Sequence, residues 1–189
     1  MTTVLVTGGG ERLEQVAAAV KAAGADTVVV DDPGRLGEAV AGQKFDGYVQ
    51  LPVAMTPGEG SVVAKVEQFL TQGMLSRFRA AATVLPALQP DASVMLVGGQ
   101  TNVDVDAPDD ADARAAMLRV LAHALRAERA PDRLTVRVAD SSWTAEQIAA
   151  KITGTGPKGA GEQTADDAAI GKAYADWRAE VVGMARVEF

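Results

Sequence analysis

The sequence contains no cysteine and only one histidine, His123. The first absence excludes disulfides, thiolate nucleophiles, zinc fingers and iron–sulfur clusters together. The second excludes a His-rich metal centre. Aromatic side chains make up only 4% of the 189 residues. The core must therefore come from Val, Leu and Ala, which suits helices packed closely on a parallel sheet. No apolar run reaches the roughly 18 residues of a membrane span. Basic residues are outnumbered as well: 18 Lys and Arg face 25 Asp and Glu, for a net charge of −7. That balance argues against nucleic acid, whose phosphates need clustered Lys and Arg. It argues equally against an anionic membrane surface. The chain runs straight into the apolar Thr3-Val4-Leu5-Val6-Thr7 with no basic leader before it. With no signal and no cysteine, the expected location is the cytoplasm.

What is present is an ordinary globular balance, 48% apolar and 23% charged, in a length that fits one domain. Thr3–Thr7 reads as a strand buried on both faces. It is followed by Gly8-Gly9-Gly10 and by a helix from Glu11 to Ala23 that Gly24 stops. Further strands are expected over 26–30, 47–51, 93–97 and 134–138, and helices over 35–40, 61–88, 113–129 and 144–152. Gly73 would divide or weaken the long 61–88 helix. The acidic stretch 100–112 reads as a surface loop feeding a helix N-terminus, whose dipole favours aspartates. The glycine-rich TGTGPKGAG marks a linker over 153–164. The last helix, over 165–189, carries Ile170, Tyr174, Trp177 and Val181 on one stripe, for packing on the same domain or on a partner. Strands alternating with helices predict an α/β fold over 1–152: a Rossmann-like, doubly wound parallel sheet with helices on both faces. Its sites lie at the C-terminal strand ends.

The first such end is the strongest chemical signal. Gly8, Gly9 and Gly10 would let the backbone approach a pyrophosphate at a helix N-terminus. Gly8 and Gly10 fit the first two positions of a G-x-G-x-x-G fingerprint, and Leu13 stands at the third. Asp31 and Asp32 end the second strand, where an acid could accept from a ribose 2′-OH. These six residues are the candidate dinucleotide-binding set, with NAD favoured over NADP because the aspartates would repel a 2′-phosphate. The competing reading is a tight glycine turn with aspartates that cap the next helix. Other systems are thinner. Ser141-Ser142 lack a nucleophile elbow, His123 sits inside a helix, and Asp104, Asp106, Asp109, Asp110 and Asp112 lack EF-hand spacing. Trp143 either covers a ligand or acts as a hydrophobic staple.

Over roughly residues 3 to 152 the chain resembles the short-chain dehydrogenase/reductase family. The resemblance lies in the TG turn, the acidic end of the second strand, VLPALQPDASVMLVGGQ and RAAMLRVLAHALRAERAPDRLTVRVAD. It implies the Rossmann-like fold and the helix pair 61–88 and 113–129 as an oligomer interface. It also exposes departures. In the family's TGxxxGxG turn only Thr7 and Gly8 match, and the later glycines fall on Arg12 and Glu14. The NNAG segment reads Leu51-Pro52-Val53-Ala54. The catalytic serine position falls near Gly99, and the Tyr and Lys positions fall on Asp110 and Arg114. A Tyr acidified by a neighbouring Lys normally donates the proton in this chemistry, and here that pair is missing. The residues thus predict no catalytic set, no metal and no firm cofactor, with NAD the one candidate. The expected role is a non-catalytic binding or structural subunit, oligomeric with itself or with an active relative. The alternatives are a divergent NAD(P)-dependent oxidoreductase and a small-ligand sensor.

Overall fold

The computed structural model describes residues 2–53, 60–99, 109–154 and 172. Five parallel strands form one sheet in the order β2-β1-β3-β4-β5. They are β1 (Thr3–Thr7), β2 (Asp26–Val30), β3 (Phe45–Gln50), β4 (Leu88–Val97) and β5 (Thr135–Ala139). The helices are α1 (Glu11–Ala22), α2 (Leu36–Val40), α3 (Val62–Gln68), α4 (Ser76–Val84), α5 (Asp109–Arg129) and α6 (Ala145–Ile152). The expected doubly wound α/β sheet is what the chain forms.

Its two faces follow from alternation along each strand. Leu5, Tyr48, Val94, Leu96 and Val136 point into one apolar layer, shared with Leu36, Ala81, Val84, Leu118 and Leu125 of α2, α4 and α5. Val4, Val6, Val49, Met95 and Val97 point into the other, shared with Leu13, Val16, Val20, Ile148 and Ile152 of α1 and α6. The chain leaves β1 toward β2 on one side and returns to β3 on the other. The winding reverses between β1 and β3, and the crevice at that switch point is where open α/β sheets hold ligands.

Several boundaries differ from expectation, each for a local reason. Pro33–Arg35 is a short 3₁₀ turn before α2, because the Asp32 carboxylate accepts from the Gly34 N–H at 2.8 Å. β3 starts at Phe45, and β4 starts at Leu88, running through Pro90, which is exposed there. β5 lies one residue later than expected. α5 begins at Asp109 rather than 113, so the last aspartates of the acidic stretch form its first turn instead of a loop. Gly73 lies in the stretch that separates α3 from α4. Phe69–Leu75 widens into a π-helical stretch between α3 and α4. Here the Thr71 and Ser76 hydroxyls donate to carbonyls of the preceding turn. Among the described residues no helix is long and apolar enough to cross a membrane.

Candidate functional site

The site is the crevice at the carboxyl ends of β1, β2 and β3, with the β5–α6 loop along its flank. Gly8 leaves β1 with φ 146°, and a Cβ there would lie 2.6 Å from the Leu51 Cβ. Only glycine lets β1 and β3 run this close at the switch point. Gly10 opens α1 with φ 72°, and a Cβ there would meet nothing within 4 Å. Gly9 is half-buried between them. The turn is therefore tight on the sheet side and open on the helix side.

The residues after the turn do not present a bare helix end. Glu11 and Glu14 both lie in the first turn of α1, so the positive dipole end already has acids of its own. Arg12, which stands where the family resemblance places a glycine, crosses to the β5–α6 loop. Its Nη1 donates to the Ser141 carbonyl and its Nη2 to the Trp143 carbonyl, both at 2.9 Å. The loop is braced elsewhere too. The Asp140 carboxylate accepts from the Ser142 N–H and hydroxyl. These bonds, with the Arg12 charge adding a smaller share, hold the Asp140 carboxyl below the usual carboxylate range. Thr144 and Gln147 form a reciprocal capping box on α6. Trp143 is half-buried against the α1–α6 layer directly before that cap, as a staple would be. It also lines an open cleft of about 530 Å³ with Glu11, Arg12, Gln15 and Glu146.

Leu13 is 4% exposed and packs in the core with Val16 and Val20. Its side chain supplies helix–sheet packing and is not presented to the crevice. The two aspartates have separate positions. Asp32 caps the 3₁₀ turn, and Asp31 lines a small cavity with Thr7, Gly8, Gln50, Ser76 and Arg77. Gly99, at the expected catalytic serine position, faces Pro52, and a Cβ there would lie 3.1 Å from the proline Cβ. Asp110 and Arg114 fall in the first turns of α5. Ala54, most of the 153–164 linker, the stripe of Ile170, Tyr174, Trp177 and Val181, and Asp104 and Asp106 lie outside the described residues. Among the described residues no group of acids and histidine is placed to hold a metal ion.

Sequence reasoning did not find the polar network that fills the crevice. Tyr48 is the only tyrosine among the described residues, and it is buried. Its hydroxyl lies 3.1 Å from the Thr7 hydroxyl and accepts from Gln50 Nε2 at 3.1 Å. Burial pushes its pKa up, so it stays a neutral phenol. Arg77, 8% exposed, donates from Nε to Gln50 Oε1 at 3.0 Å and from Nη2 to the Gln50 carbonyl at 3.2 Å. Burial lowers its pKa to about 10. A signal existed: Arg77 falls between Met74 and Ala81 at the spacing of a buried helix face.

No protein-family model and no curated protein matches the chain. Solved structures do. A short-chain dehydrogenase/reductase from Serratia marcescens aligns at 18% identity and a TM-score of 0.59, over 83% of this chain and 90% of that one. The protein lin1944 from Listeria innocua aligns at 14% identity and 0.57, over 81% and 92%. BdcA, solved in complex with NADPH, aligns at 14% identity and 0.53, over 83% and 88%. At such identities the likeness speaks to architecture. The chain has the fold of the short-chain dehydrogenases/reductases.

Proposed function

We propose that this chain is a non-catalytic binding or structural subunit built on a short-chain dehydrogenase fold. The observation that carries the reading is the Arg12 side chain, which ties α1 to the Ser141 and Trp143 carbonyls where the resembled motif has a glycine. Glu11 and Glu14 add negative charge beside the place a pyrophosphate would take. The residue types agree: Gly99, Asp110 and Arg114 stand at the positions of the family's serine, tyrosine and lysine. A carboxyl group is a far stronger acid than a phenol and an arginine does not give up its proton, so these residue types do not reproduce a tyrosine–lysine donor. The test is a fluorescence titration with NADH and NADPH, followed by an assay of their oxidation with simple carbonyl compounds. Neither binding nor turnover is expected. Saturable turnover would overturn the reading.

The subunit would act as an oligomer through helices 61–88 and 113–129, with a second copy or with an active relative. Val63 is 76% exposed, and Val66 and Leu70 follow it at i+3 and i+7 as further exposed apolar side chains. Such a stripe is uncommon on a helix facing only water. A second reading, NAD(P) binding without the family's proton donor, is favoured by one observation: the similarly folded BdcA was solved with NADPH.

A further inference from the structure

Arg77 is a buried cation without an acid. Among the described residues no carboxylate pairs with it. Its hydrogen bonds go to Gln50 alone, from Nε and Nη2. Those two atoms form one edge of the planar guanidinium. The Nη1–Nη2 edge is left over, and a guanidinium edge of that kind matches a carboxylate with two parallel bonds. Nη1 has no partner among the described residues. It is not a sealed atom either, since Arg129 Nε is the one side-chain nitrogen or oxygen there that is both sealed and unpartnered. Buried charges are normally paired, and an unmatched charged donor is met by ordered water or by an ion of opposite charge.

A place for that ion lies beside it. Arg77 lines a cavity of about 30 Å³ with Thr7, Gly8, Asp31, Gln50 and Ser76, at the β1/β3 switch point. That volume takes roughly two water-sized groups, which is the size of the two oxygens of a carboxylate. A phosphate would bring three or four. Asp31 at the same cavity is exposed and adds a negative charge, which disfavours a dianion over a monoanion.

We infer that the switch-point cavity binds the carboxylate group of a small organic acid, held end-on by Arg77 while Gln50 fixes the guanidinium from the other edge. The proposal goes beyond the binding-subunit reading, because it names a ligand class and a residue unrelated to the Arg12 strap. The dinucleotide titration tests one and the experiment here tests the other.

The experiment follows the thermal midpoint of the full chain in acetate, phosphate and chloride series of equal ionic strength. Acetate is expected to raise the midpoint saturably over chloride, and phosphate to do so less. Arg77→Lys, which keeps the charge and loses the fork, should weaken the acetate effect about tenfold or more. Ser76→Asp supplies a carboxylate at the cavity wall and should remove the effect in a chain that still folds. Equal midpoints in acetate and chloride would overturn the proposal, as would an unchanged acetate effect in either folded variant. A phosphate effect larger than that of acetate would overturn the carboxylate assignment.

Discussion

Gln50 and Arg77 bind each other three times across the crevice. Arg77 donates from Nε to Gln50 Oε1 and from Nη2 to the Gln50 carbonyl, and Gln50 Nε2 donates back to the Arg77 carbonyl at 2.9 Å. One residue ends β3 and the other lies in the first turn of α4, so the bonds join the sheet to the helix above it. Gln50→Leu keeps the volume and removes the side-chain acceptor, leaving a buried charged donor unmet. Urea denaturation should show a loss of about 3 kcal/mol. A loss within experimental error would mean that α4 is held by apolar packing alone.

The Arg12 strap should be detectable in solution. Arg12→Ala removes two charge-assisted bonds from a half-buried side chain, at a cost of about 1–2 kcal/mol. Hydrogen exchange should quicken over 140–144 and remain unchanged in β1 and β3. Unaltered exchange in that loop would show that the Asp140 turn and the Thr144 cap hold it without Arg12.

The glycines of the turn should differ in tolerance. At Gly8 a Cβ would overlap Leu51, and φ is unsuited to an L-residue. At Gly10 only the backbone conformation opposes a side chain. Gly10→Ala should cost about 1–3 kcal/mol, and Gly8→Ala should cost more. Thermal denaturation of the two variants checks the order.

The glycine turn and the two-sided burial of β1 could be read from residue types alone, because strand burial and helix spacing are local patterns. So could the capping role of Asp32, since an Asx cap depends on near neighbours. The partners of Arg12 could not. Ser141 and Trp143 lie far along the chain, and only the β1–β5 arrangement brings their carbonyls to α1. The Arg77–Gln50 network was hidden for a related reason. Neither residue belongs to a motif, and their pairing depends on how α4 crosses the end of β3. Leu13 stands at the third position of the glycine fingerprint and shares a helix face with Val16 and Val20, and it is the second pattern that describes where it packs.

Asp140 should leave a mark on acid stability. Its folded pKa lies below the unfolded value of 3.8. The carboxylate therefore stabilises the fold above that pH, and the contribution is lost as pH falls through the folded pKa. The stability difference between the wild type and Asp140→Asn should be constant near neutrality and shrink below about pH 4. A difference independent of pH would mean that the Ser142 contacts do not depend on charge.

If the exposed stripe running from α3 into the π-helical stretch mediates assembly, light scattering should give a mass above that of one chain. Val63→Glu with Leu70→Glu should then yield a monomer with stability changed by no more than about 0.5 kcal/mol. A monomeric wild type, alone and beside a related dehydrogenase, would count against this interface.

On the proposed reading, the acids of the first turn of α1 and the Arg12 strap leave the Gly8–Gly10 turn unsuited to a dinucleotide pyrophosphate. Calorimetric titration of the purified protein with NADH and NADPH tests it most directly, with an active short-chain dehydrogenase as the positive control. The account predicts no saturable heat for either dinucleotide. Saturable binding of either one, weakened by Gly10→Ala, would contradict it.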